Sequence, residues 1–259
     1  MMPDDTIKRL AYLTAALKTP RIGEAARRLA DQARDANWAF EEYLVAVLER
    51  EVSARNTSGA EQRIRAGGFT TRKTLDEFNF DAQPAIRAPI AALASGAYLT
   101  EARNIVLLGP PGTGKTHLAT ALGITAAHQG HRVLFATATG WITRLSEAHR
   151  SGRLPTELAR LRRYGLIIVD EVGYLPFDQD AANLFFQLVS ARYEHASIIL
   201  TSNLAFSAWG SVFGDQAVAA AMIDRIVHHA DVLTLNGASW RLRNTGLDQL
   251  PSITVAQQD

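Results

Sequence analysis

The sequence predicts an α/β fold: a P-loop core whose central parallel sheet is covered by helices on both faces, preceded by a small all-α N-terminal domain. Three observations lead there. From residue 103 onward, short apolar runs at 105–108, 132–136, 166–169 and 197–200 alternate with helical stretches, as strands buried on both faces of a parallel sheet do. The first run leads directly into Gly109, Pro110, Pro111, Gly112, Thr113, Gly114, Lys115 and Thr116, which satisfy the pattern G-x-x-x-x-G-K-S/T. Residues 4–66, by contrast, carry helical periodicity almost throughout.

The elements follow in order. Ile7, Leu10, Leu13, Ala16 and Leu17 recur at helical spacing, and after a Pro20/Gly23 break so do Ala25, Ala26, Leu29 and Ala30. A third helix is expected from near Asn37, with Trp38, Tyr43, Leu44, Val47 and Leu48 as its apolar set, and with Ser58-Gly59 and Gly67-Gly68 as punctuation. These helices are assigned to a domain over residues 1–70. Residues 71–102 are read as a connecting segment with the first core helix, 103–247 as the catalytic core, and 248–259 as a disordered tail. A fifth strand is expected at 232–235.

Composition narrows the function. The chain has 259 residues, 47% hydrophobic and 20% charged, enough for a sizeable core. It contains no cysteine, which excludes disulfides, iron–sulfur clusters, thiol catalysis and cysteine-based zinc sites. No run of 18 apolar residues exists and the first residues are acidic, so neither a membrane span nor a secretory signal is expected, and the location is read as cytoplasmic. Lys and Arg total 27 against 26 Asp and Glu, so any basic surface must be local.

The glycines of 109–114 let the backbone curl so that successive N–H groups point at phosphate oxygens. The helix starting near Lys115 adds the positive end of its dipole. Lys115 can reach β- and γ-phosphates, and the Thr116 hydroxyl can ligate Mg2+. His117 is grouped with this nucleotide site. The apolar run 166–169 ends in Asp170 and Glu171. Asp170 is placed on the Mg2+ shell as a Walker B aspartate, and Glu171 as the general base for water. A glutamate next to that aspartate points to ATP hydrolysis by a P-loop protein with an extra strand between the phosphate-loop strand and the Asp-Glu strand. The run ending in Thr201, Ser202 and Asn203 suits that strand; Asn203 is chosen as the polar sensor near the γ-phosphate, with Ser202 as the other candidate.

Three segments then resemble a known family: 109–119, 166–176 (with its Val-Gly-Tyr-Leu-Pro extension) and 199–203 are similar to those of the IstB-like transposition-helper ATPases. These are AAA+ proteins related to bacterial replicative helicase loaders. Residues 73–80, Asp224-Arg225-Ile226 with His228-His229, and Gly237-Ala238-Ser239-Trp240-Arg241 extend the likeness over about residues 5–245. The resemblance implies ATP and Mg2+ as cofactors, bound between subunits of a homo-oligomer, with Arg225 as the arginine finger acting on a neighbour's γ-phosphate. It also implies duplex DNA and a transposase as partners. Arg241 and Arg243 are weaker phosphate-sensor candidates and are left out of the site.

Two stretches are locally basic. Residues 132–163 hold seven arginines against two glutamates, and residues 50–73 hold six basic residues against two. Arg144, Arg150, Arg153, Arg160, Arg162 and Arg163, with Arg55, Arg63 and Arg65, are the candidate DNA contacts. The first stretch reads as two helices broken at Gly152 and Pro155. No base-reading motif is visible, so binding is expected to phosphates and DNA shape, with little sequence choice. His117, His128, His131 and the His228-His229 pair show no metal-ligand spacing. Two other functions fit the same residues: a replicative helicase loader, and a non-catalytic nucleotide-dependent interaction module.

Overall fold

The computed structural model describes residues 4–237. The end of the late motif, Arg241, Arg243 and the tail at 248–259 lie outside them. The chain divides into two compact units, residues 1–62 and 63–259.

The first unit holds α1 (Asp4–Ala16), α2 (Pro20–Asp35) and most of α3 (Phe40–Ala66). Pro20 occupies the first turn of α2, where its missing N–H costs nothing. Ala25, Ala26, Leu29 and Val47 form a small core, flanked by Leu10, Ile22, Tyr43 and Ala46. Periodicity overstated this core. Leu13, Leu17, Leu44 and Leu48 are exposed, because helical spacing fixes which residues share a face but not whether another element covers it. Helix α3 also runs unbroken through Ser58 and Gly59 and stops only at Gly67-Gly68, where Gly68 takes φ +74°.

Among the described residues, the second unit is built on five parallel strands: β1 (Asn104–Leu108), β2 (Val133–Thr137), β3 (Leu166–Val172), β4 (Ser197–Ser202) and β5 (Ala230–Thr234). Their order is β2-β3-β4-β1-β5, so β4 does lie between β1 and β3. The register sets Ile105 opposite Ile199, Ile168 opposite Ile199, and Phe135 opposite Ile168. Alternation sends Val106, Ile167, Val169 and Leu200 to one face and Ile105, Leu107, Ile168 and Ile199 to the other. The first face packs against α7 (Ala138–Arg150), α9 (Gln179–Arg192), α10 (Trp209–Phe213) and α11 (Gln216–Val227), through Trp141, Phe185, Phe213 and Met222. The second packs against α4 (Pro84–Leu93), α5 (Ala97–Thr100) and α6 (Lys115–His128), through Ile90, Tyr98 and Leu118. Between β2 and β3, α7 is followed by α8 (Leu154–Leu161). Gly152 makes the turn between them at φ +67°, but Pro155 sits inside the first turn of α8 instead of in the break.

Candidate functional site

The site forms where β1, β4 and β3 end side by side. The strand β1 stops at Leu108, and the chain turns through residues 109–114 into α6. Two of the turn's glycines are required by space as well as by φ. At Gly109 (φ +145°) a Cβ would lie 2.1 Å from the Leu235 carbonyl oxygen. At Gly114 (φ +99°) it would lie 2.5 Å from the Phe78 ring. Thr113 Oγ1 donates to the Pro110 carbonyl at 2.8 Å and closes the loop on itself. Lys115 Nζ donates to the carbonyls of Gly109 and Pro110 at 2.5 and 2.7 Å, so its ammonium spans the loop's mouth.

Thr116 Oγ1 donates to Asp170 Oδ1 at 3.0 Å, which brings the two proposed metal ligands together across 54 residues of chain. Asp170 is buried at the end of β3. A hydroxyl and a carboxylate are hard oxygen donors, and that pair suits Mg2+. Next to it, Glu171 takes φ +64°, a left-handed backbone that costs a non-glycine residue on the order of 1 kcal/mol. The β3–β4 pairing is irregular between Val169 and Val172, and Glu171 is exposed while its neighbours on both sides are buried. The bulge thus turns the carboxylate out of the sheet, as bulges beside active sites do.

The end of β4 holds a residue that the motif reading passed over. Thr201, almost fully buried, donates from Oγ1 to Asp170 Oδ1 at 2.5 Å and accepts the Glu171 N–H at 2.9 Å. Ser202, the other sensor candidate, donates to the Val172 carbonyl at 2.7 Å and accepts the Leu204 N–H, so its hydroxyl is committed to the bulge. Asn203 is exposed just beyond the strand. A run of small polar residues after a strand was the available signal; which of them touches Asp170 depended on the register.

A cavity of about 470 Å3 opens beside the loop, lined by Gly112, Thr113, Gly114, Lys115, Thr116 and His117, and on its other side by the segment 71–83 and residues 236–237. His117 lines this cavity, and its Nε2–H donates to the Thr74 carbonyl at 2.8 Å. Gln83 bonds to Asn236 through both its amide nitrogen and its amide oxygen. The segment around Lys73 was legible as a family feature, but not as a wall of the site.

Arg225 lies on α11 and is not among the cavity's lining residues. Its Nη1 donates to Ser190 Oγ at 2.6 Å, and its guanidinium sits 4.3 Å from the centre of the Phe186 ring. One turn further on, His228 Nδ1 is 2.7 Å from the Tyr193 hydroxyl, and exposed Glu194, His228 and His229 offer ligand atoms within 4.8 Å of one another. Spacing did not reveal that cluster, because Glu194 follows α9 and the histidines follow α11.

The candidate DNA arginines differ in their surroundings. Arg144 and Arg160 both pair with Glu157, at 2.6 and 2.8 Å. Arg150, Arg153, Arg162 and Arg163 are exposed. In the first unit Arg55 is tied to Glu51 and to the Lys18 carbonyl. In the second, Arg63 donates to the Ala127 carbonyl and Arg65 is exposed. No described helix is long and apolar enough to cross a membrane.

Comparison with known proteins finds relatives over most of the chain. A family profile described as IstB-like ATP binding protein matches residues 12–247. An insertion-sequence IS21 protein of Pseudomonas aeruginosa, named for an inferred ATP binding, is 41% identical over 90% of this chain and 89% of its own length. A similarly named protein of insertion sequence IS5376 from Geobacillus stearothermophilus is 37% identical over 90% and 93%. Among solved structures, AMPPCP-bound DnaA from Aquifex aeolicus gives a TM-score of 0.54 at 21% identity, over 67% of this chain and 54% of that one. The DnaC helicase loader gives 0.51 at 20% identity, over 64% and 93%. These two likenesses show a shared AAA+ fold.

Proposed function

Because this chain belongs to the family of IstB-like ATP-binding proteins, we propose that it hydrolyses ATP and uses the bound nucleotide to assemble on duplex DNA as the helper of a transposase. The observation that carries this reading is the bond between Thr116 of the phosphate loop and Asp170, with Glu171 turned outward next to it. The backbone N–H groups of 112–114 and the start of α6 hold the phosphates. Lys115 exchanges its carbonyl partners for β- and γ-phosphate oxygens. Mg2+ between Thr116 and Asp170 would neutralise charge building on those phosphates. Glu171 accepts the proton of the attacking water, and Asn203 helps to orient that water.

Subunit contact is supported by two features. Arg225 does not line its own cavity, which fits a guanidinium serving the phosphate of a neighbouring copy. Tyr174 and Leu175, in the turn just after Glu171, are 70% and 53% exposed and offer apolar area to such a neighbour. Exposed Arg150, Arg153, Arg162 and Arg163 would then repeat along a DNA backbone. A transposase is chosen over a replicative helicase as partner because relatives at 37–41% identity are insertion-sequence proteins, whereas the helicase loader shares the fold at 20%.

The test is ATP turnover and duplex binding by the wild type, Lys115→Ala and Glu171→Gln. Lys115→Ala should lose ATP-dependent DNA binding. Glu171→Gln should stay on DNA with ATP while turnover falls about 100-fold or more. Equal DNA affinity of the wild type with ATP, with ADP and without nucleotide would overturn the switch.

A further inference from the structure

Resting on the reading of this site as an ATPase centre, we infer that Thr201 is a positioning residue that couples the metal-binding carboxylate to the general base. Its single hydroxyl is used twice. The proton goes to Asp170 Oδ1 at 2.5 Å, and an oxygen lone pair accepts the backbone N–H of Glu171 at 2.9 Å.

The bulge explains why such a group is needed. Pairing between β3 and β4 runs regularly to Val169–Leu200 and resumes at Val172–Ser202. The residues skipped are Asp170 and Glu171, so the Glu171 N–H has no carbonyl opposite it on β4. Leaving this part-buried N–H unmatched would cost up to about 1–3 kcal/mol, and Glu171 already carries the cost of a left-handed φ of +64°. The Thr201 hydroxyl stands in for the missing ladder bond and stabilises the conformation that points Glu171 outward. The same atom restrains the Asp170 Oδ1 that the Thr116 hydroxyl also reaches. The carboxylate is thus clamped between a hydroxyl of the phosphate loop and a hydroxyl of β4. A displacement of Asp170 on loading the site is transmitted through one oxygen to the backbone that aims Glu171. Partners of this kind, one layer behind the ligands, commonly change metal affinity or rate by about 10- to 100-fold.

Thr201→Val keeps the shape and removes the hydroxyl, whereas Thr201→Ser keeps the hydroxyl. Two readouts are made on the full chain: Mg2+-dependent binding of a fluorescent ATP analogue, and steady-state hydrolysis with duplex DNA across a Mg2+ titration. Thr201→Val should need about 10-fold more Mg2+ for half-maximal analogue binding. Its kcat should fall about 10- to 100-fold, with KM for ATP within about 3-fold of the wild type. Thr201→Ser should stay close to the wild type in both. A Thr201→Val protein with unchanged Mg2+ midpoint and unchanged kcat overturns the inference. So does a merely structural outcome, in which Thr201→Val and Thr201→Ser lower Tm alike and the Mg2+ midpoint stays put. If the wild type binds the analogue but never turns over, the ATPase reading fails, and the Mg2+ midpoint of Thr201→Val alone decides the role of Thr201.

Discussion

Arg192 holds three backbone carbonyls at once. Buried at the end of α9, it donates from Nη1 to Leu161 and from Nη2 to Tyr164 and Ser197, at 2.9, 3.0 and 2.9 Å. Burial pulls its guanidinium down to about 9, still above neutral pH, so the cation persists where those carbonyls need donors. Arg192→Met would strand three acceptors; the expected loss is about 3 kcal/mol, or about 6–12 °C in Tm. A melt within about 1 °C of the wild type would show that the carbonyls find other donors. At this scale the phosphate site was legible. Gly109 to Thr116 and Asp170-Glu171 are local patterns whose chemistry depends on adjacent residues. Thr201 and Arg192 were not, since a threonine ending a strand and an arginine ending a helix are ordinary until the fold brings Asp170 and three carbonyls to them.

Among the elements, α2 has an unusual start. Thr19, its N-cap, makes no side-chain cap bond. The carboxylate comes instead from α3: Glu51 Oε2 accepts the Arg21 N–H at 2.9 Å, while Oε1 accepts from Arg55 Nε at 2.7 Å. Burial would raise the Glu51 carboxyl, but the bonds from Arg55 and from the Arg21 amide outweigh it and hold it below its ordinary 4.5. A carboxyl lowered by folding stabilises the native state above its ordinary range, and that stabilisation is lost as pH falls through the folded value. Wild type and Glu51→Gln should therefore differ in Tm at pH 7, and the gap should narrow as pH drops below about 4.5. A gap independent of pH would discount the charge. The same scale sorts the arginines of α7 and α8 by their surroundings. Glu157 there engages Arg144 and Arg160, whereas exposed Arg150, Arg153, Arg162 and Arg163 are the arginines proposed for phosphate contact.

For the whole molecule, the proposed sharing of a site between copies makes a mixing experiment decisive. Lys115→Ala lacks its own nucleotide grip but carries Arg225; Arg225→Ala has the grip and lacks the finger. Each alone should be nearly inactive. Mixed, a Lys115→Ala subunit should lend Arg225 to its neighbour and restore turnover to about a quarter of the wild-type rate, as random pairing across one shared site implies. No recovery at any ratio would place Arg225 outside the catalytic site. The amino-acid sequence by itself determined the P-loop, the strands that flank it, the acidic pair and the kinship of the chain. Each of those is written in neighbouring residues, whose periodicity and backbone demands act over a few positions. Only the tertiary structure decided which apolar helix faces are covered, which hydroxyl reaches Asp170, that residues 71–83 wall the cavity, and which arginines stay exposed. Those outcomes depend on the register of β3 against β4 and on packing between elements far apart in the chain, where loop closure and burial choose partners that no local pattern specifies.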